Sequence, residues 1–127
     1  MPLVHHELCF GCGRVNLFGL LLEAQPESAR RLTGRCFIKQ DHQGAEPGAA
    51  HDGIVAAALS EAMGLACGIS ARAQTVQVDH FASAPIGTYL DVVARVEDTK
   101  DGVHQATAQA SSVGSVIARA RGTYRRG

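Results

Sequence analysis

Alternation of apolar and polar residues dominates the second half of the chain. In QTVQVDHFA, Val76, Val78 and His80 fall on one side and Thr75, Gln77 and Asp79 on the other. TYLDVVARVED sets Leu90, Val92, Ala94 and Val96 against Asp91, Val93, Arg95 and Glu97. VHQATAQA alternates again, and VIARARGTYR places Val116, Ala118, Ala120 and Tyr124 opposite Arg119, Arg121, Thr123 and Arg125. A period of two predicts strands that bury one face. Asp101–Gly102 predicts a tight hairpin, and SVGS a second reversal. Upstream, RRLTGRCFIKQ has Leu32, Gly34, Cys36 and Ile38 on one face, and residues 18–24 predict a short strand.

Between these halves the period changes. DHQGAEPGAAHDG reads as a loop from its glycines and Pro47. HDGIVAAALSEAMG then opens a helix predicted over Asp52 to Cys67, with Asp52 as N-cap and Gly68 as stop. The order is two strands, one helix and four strands. One small-residue helix cannot cover both faces of such a sheet. The fold class that follows is α+β, a curved antiparallel sheet wrapped around one long central helix. The other sheet face is half apolar, or needs a partner.

The 127 residues suit a single domain, 1–127. With no Trp and 5% aromatics, the core must be aliphatic and alanine-rich, which allows backbones to approach closely. The formal net charge of +0 gives no attraction to nucleic acid or to an anionic membrane. No apolar run approaches the ~20 residues that span a bilayer, and no secretory pattern opens the chain. A cytoplasmic location with reduced thiols at Cys9, Cys12, Cys36 and Cys67 is the expectation. His5, His6, Cys9 and Cys12 offer zinc donors, but the second ligand pair of a zinc finger is missing. A metal-free loop, with no cofactor, is therefore expected.

Three segments in order carry a family resemblance. CFGCGRVNLFGLLLE resembles an opening of the form Cys-x-x-Cys-Gly-x-x-Asn-x-x-Gly-Leu. HQGAEPGAAHDGIVAAALSEAMG resembles a Gln-Gly-x-x-Gly loop, a His-Gly-Gly and a helix with Asp-Glu-Ala. TVQVDHFASAPIG resembles a following strand that starts with Thr or Ser and ends before Pro-x-Gly. Together they resemble the hotdog-fold acyl-CoA thioesterase superfamily, in its phenylacetate-pathway-like branch. The resemblance implies a homodimer or dimer of dimers that hydrolyses an acyl-CoA-type thioester. It gives His51 the ordering of the loop, and gives the backbone at Gly53 and Asp52 the polarisation of the carbonyl. It gives Thr75, from the neighbouring subunit, the placing of nucleophile or water. Two departures stand out. His-Gly-Gly is here His51–Asp52–Gly53, and the catalytic carboxylate, nine residues after the histidine, is here Ser60.

The chemistry can be read from the residues as well. Free N–H groups at a helix start can hold a developing oxyanion. At 100° per residue, Gly53, Ala57, Ser60 and Gly64 share one row of small residues, and Ile54, Ala58, Glu61 and Leu65 the next. Glu61 either replaces the missing carboxylate, as general base or nucleophile, or is a hydrogen-bonded structural residue. Among apolar neighbours its pKa would rise, which suits acid–base work. Ser60 lines the pocket, and as a nucleophile it lacks a paired base. His80, sharing a face with Val76 and Val78, is a core histidine before it is a catalytic one. Arg119, Arg121 and Arg125, with Arg126 beyond, either meet coenzyme A phosphates or form a solvated sheet face. The rival functions are a non-catalytic acyl-CoA-binding protein, which Ser60 favours, and a dehydratase or hydratase, whose His-to-acid spacing Glu61 does not meet.

Overall fold

The structure is a computed structural model and describes residues 2–126. Its elements are β1 (Glu23–Pro26), β2 (Arg31–Phe37), a 3₁₀ turn (Gln40–His42), α1 (Asp52–Cys67), β3 (Ala71–His80), β4 (Tyr89–Lys100), β5 (Val103–Ser112) and β6 (Ser115–Arg126). The strands make one antiparallel sheet in the order β1-β2-β4-β5-β6-β3. α1 packs across its inner face and touches every strand.

The alternating pattern accounts for this sheet. Leu90, Val92, Ala94 and Val96 of β4, Ala106, Ala108 and Ala110 of β5, and Ala118, Ala120 and Tyr124 of β6 are all buried toward the helix. Register keeps those small residues level, with Ala94 opposite Ala108 and Ala108 opposite Ala120. Such a floor lets the helix lie close, and Ala58, Leu59, Ala62 and Met63 are 0% exposed. The reversal at Asp101–Gly102 has φ of 54° and 76°, and that at Val113–Gly114 has 50° and 81°. Paired positive φ values are the geometry that matches the twist of a two-residue hairpin.

Two local expectations are corrected. The strand expected over residues 18–24 is confined to Glu23–Pro26. The Leu20 and Leu22 amides bond instead to the carbonyls of Phe10 and Gly11, so this stretch docks on the N-terminal loop and drops its leucines into the core. The helix N-cap is His51, not Asp52. His51 has extended backbone, with φ −60° and ψ 140°, and its ring accepts the Gly53 N–H, so Asp52 falls inside the first turn.

β3 ends the sheet on one side, and nearly all of its ten residues are exposed. A long unpaired edge of this kind is a template for pairing with another strand.

The loop before the helix contains a buried histidine. His42 is 3% exposed, accepts the Lys39 N–H at Nδ1, and takes the His51 N–H on its carbonyl. Burial, and then the Lys39 charge, hold its pKa below the ordinary 6.5. The unfolded chain therefore binds the proton more readily than the folded one. The His42 contribution to stability is complete above about pH 6.5 and is lost as pH falls from there toward the folded pKa. Thermal melts between pH 7.5 and 5 should show Tm falling on the acid side, on the usual scale of pH titrations. The slope should be shallower in His42→Asn, which keeps an acceptor for the Lys39 amide.

Candidate functional site

The helix start is built by the loop that precedes it. The Gly48 N–H binds Gln43 Oε1 at 2.8 Å, the Ala50 N–H binds the Ala84 carbonyl at 2.8 Å, and the His51 N–H binds the His42 carbonyl at 2.7 Å. A side chain at Gly44 would run into the His51 backbone, so the loop closes here only with glycine. His51, Asp52 and Gly53 emerge exposed at the positive end of α1.

Most amides there already have partners. The Gly53 N–H donates to His51 Nδ1 at 2.7 Å, and the Ile54 N–H to the His51 carbonyl at 2.9 Å. The Asp52 N–H is the uncommitted amide of the first turn among the described residues. Beside it, His80 Nδ1 lies 3.9 Å from Asp52 Oδ1. His80 reaches this place because it sits at the end of β3 on the inner face, paired with Ala118.

Ser60 and Glu61 point to different neighbours, as adjacent helical positions must. Ser60 Oγ is 3.0 Å from the Tyr124 hydroxyl, which also donates to the Ser60 carbonyl at 2.9 Å. Gly64, one turn on, leaves room for the same ring. The row of small residues on α1 thus receives an aromatic ring of its own chain. Burial pushes the Tyr124 phenol up to about 12, despite the Ser60 hydrogen bond, so it stays protonated at neutral pH.

Glu61 was expected among apolar neighbours, and the structure corrects this. Its Oε2 is 3.0 Å from His5 Nδ1 and 3.4 Å from the Cys9 thiol. Cys12 lies next to them, with its sulfur 3.3 Å from His5 Nδ1 and accepting the His5 N–H at 3.2 Å. Burial and the nearby Glu61 carboxylate push the Cys12 thiol well above its ordinary range. A Cβ on Gly11 would overlap the Glu61 carboxylate, so the loop and helix meet through that glycine. His5, Cys9, Cys12 and Glu61 thus bring four potential metal donors together among the described residues.

Thr75 and the arginines lie elsewhere. Thr75 Oγ1 bonds Thr123 Oγ1 at 2.8 Å, on the sheet face turned away from α1. Arg119 and Arg121 share that outer face and bind Gln109 and Gln77. A groove of about 510 Å³ runs there, but Asp79 and Glu97 line it as well as Arg95, Arg119 and Arg121. Arg125, also on β6, is exposed and opposite Val103. Within one protomer, then, His51, Asp52 and Gly53 come together, while Ser60, Glu61, Thr75 and the arginines do not join them. The alternation had placed His80 on the inner face, but its meeting with Asp52 was not foreseen. The cysteine spacing was legible as a half-site whose completing residue was not.

No protein-family profile and no curated protein matches the sequence. Solved structures do match the fold. The phenylacetic acid degradation operon protein PaaI of E. coli aligns with 85% of this chain and 80% of its own, at TM-score 0.77 and 15% identity. Zebra fish thioesterase superfamily member 2 aligns with 84% and 81%, at TM-score 0.74 and 18% identity. A variant of phenylacetic acid degradation protein PaaI from Thermus thermophilus aligns with 84% and 93%, at TM-score 0.75 and 21% identity. The chain has the hotdog fold of these thioesterase-superfamily structures, a single helix held in an antiparallel sheet.

Two substitutions test the packing around the helix. Tyr124→Phe removes the donor to the Ser60 carbonyl and should lower unfolding free energy by about 1–2 kcal/mol in urea titrations, with the slope unchanged. Gly11→Ala presses a methyl group on Glu61 and should cost ~1–3 kcal/mol by the same measurement, the range for overpacking.

Proposed function

We propose that the protein is a thioester hydrolase for an acyl-CoA-type substrate, working as a homodimer at the start of α1. The observation that carries this is the exposed first turn, with the free Asp52 N–H beside the Asp52–His80 pair. The hotdog fold, shared with structures described as thioesterases, supports the substrate class.

In this reading the carbonyl oxygen lies against the Asp52 amide and the positive end of the helix, where negative charge develops during attack. A water molecule adds to the carbonyl carbon and gives its proton to the Asp52 carboxylate, with His80 completing the pair. Collapse of the tetrahedral adduct breaks the carbon–sulfur bond, and the departing thiolate takes up the proton. Glu61, the base suggested by position in the sequence, is assigned instead to holding the N-terminal segment, because His5 and Cys9 engage its carboxylate. The β3 edge supports the dimer, with Val76 exposed at 39% and Phe81 at 56% beside it. Pairing of β3 with its counterpart would extend the sheet across the dimer, with Thr75 of each chain on the outer face. Light scattering should give twice the chain mass, and a monomer would defeat the dimer.

A second reading is a protein that binds the thioester without cleaving it. It is favoured by Ser60, whose hydroxyl is tied to Tyr124 where the resembled family has a carboxylate. A panel of aryl and aliphatic CoA esters, followed for both binding and thiol release, separates the two. For the hydrolase, Asp52→Asn should lower kcat by about 100-fold or more, with KM little changed, as expected for loss of a general base. His80→Gln should also lower kcat, by less than Asp52→Asn, as loss of the group paired with the base. Full activity in both variants would remove the pair from the mechanism, and binding without turnover by the wild type would establish the second reading.

A further inference from the structure

The meeting of His5, Cys9, Cys12 and Glu61 has no role in the chemistry at the helix start, and its donor set is that of a metal centre. The four donor atoms lie within 4.8 Å of one another. His5 Nδ1 is 3.0 Å from Glu61 Oε2, 3.6 Å from Cys9 Sγ and 3.3 Å from Cys12 Sγ, and Cys9 Sγ is 3.4 Å from Glu61 Oε2. Zinc at its ordinary bond lengths, ~2.0 Å to nitrogen or oxygen and ~2.3 Å to sulfur, needs tetrahedral edges of roughly 3.3–3.8 Å. These four edges differ from that range by at most a few tenths of an ångström, and the Cys9–Cys12 and Cys12–Glu61 edges lie within 4.8 Å. We propose that His5, Cys9, Cys12 and Glu61 form a tetrahedral zinc site that fastens the N-terminal segment to α1.

Several features fit this assignment. Two soft sulfurs, an imidazole and a carboxylate suit zinc better than magnesium or calcium, which prefer oxygen. The His5 backbone N–H already points at Cys12 sulfur, an outer hydrogen bond of the kind that steadies a metal-bound thiolate. Cys12 and Gly11 are buried, and Cys9, His5 and Glu61 half-buried, so the centre is shielded from solvent. On binding, both thiols release their protons to solvent, and two thiolates and one carboxylate face the dication. All four positions are taken by protein, which leaves none open for water or substrate and makes the centre structural. The N-terminal segment supplies three ligands, and α1 supplies the fourth from Glu61, 49 residues beyond Cys12.

Protein purified without a metal-binding tag and under reducing conditions should carry one zinc ion per chain by elemental analysis. After exchange, Co²⁺ should give the visible absorption of a tetrahedral centre with charge-transfer bands of two thiolates. Cys12→Ser and Glu61→Gln should each weaken zinc binding by more than ~10-fold in chelator competition, since loss of a mere supporting residue costs that much. Cys67→Ala, at the other end of α1, should bind as the wild type. If the ligand variants fail to fold, the cobalt spectrum and chelator-dependent Tm of the wild type still decide. A wild type that holds no zinc and shows no thiolate charge transfer with cobalt overturns the site. Unchanged affinity in Glu61→Gln overturns the fourth ligand. These readouts use no substrate, so their failure and that of the hydrolase reading are told apart.

Discussion

One helix has to cover the inner face of a six-stranded sheet, and the rest of the structure answers to that constraint. Sixteen residues cannot do it alone. The helix compensates partly by closeness, since alanines on β4, β5 and β6 face alanines on α1 and bring the backbones together. The remaining area is covered by the N-terminal segment, which inserts Cys12, Leu20 and Leu22 into the same core. That segment has no regular secondary structure before β1, so its position depends on a few specific contacts. The Glu61 cluster is the most polar of them and stands where loop, helix and core meet.

This division of labour separates two kinds of chemistry along one helix. Its first turn is open to solvent and keeps an amide, a carboxylate and an imidazole available. Its middle is closed on both sides, by Tyr124 over Ser60 and by the cysteine loop over Glu61. A carboxylate used to anchor a loop gains from rigid partners, whereas a general base needs access to a water molecule and to a reacting carbon. The surroundings differ accordingly: Glu61 has rigid partners in His5 and Cys9, and Asp52 lies exposed at the open helix start.

Much of the fold could be read directly from the residues. β2 through β6 follow from alternation, the two hairpins from Asp101–Gly102 and Val113–Gly114, and α1 from an uninterrupted run of small and apolar residues. These signals are local, because each depends on spacing within one element. Less of the site could be read in this way. The alternation did put His80 on the inner face and Thr75 on the outer, but which element lay beneath each face was open.

By itself the sequence determined the helix, the strands β2 to β6, the buried side of β4, β5 and β6, and that the sheet needs a helix within it. Tertiary structure decided the partners of the polar residues. Glu61 differs from Ser60 by only one helical step, yet that rotation of about 100° turns one toward the cysteine loop and the other toward β6. His51 rather than Asp52 became the cap because the His42 carbonyl and the Ala84 carbonyl hold the preceding backbone extended. The N-terminal leucines formed a docked loop instead of a strand because the carbonyls of Phe10 and Gly11 accept the leucine amides. In each case the outcome rests on contacts between residues apart in the chain, which no local period encodes.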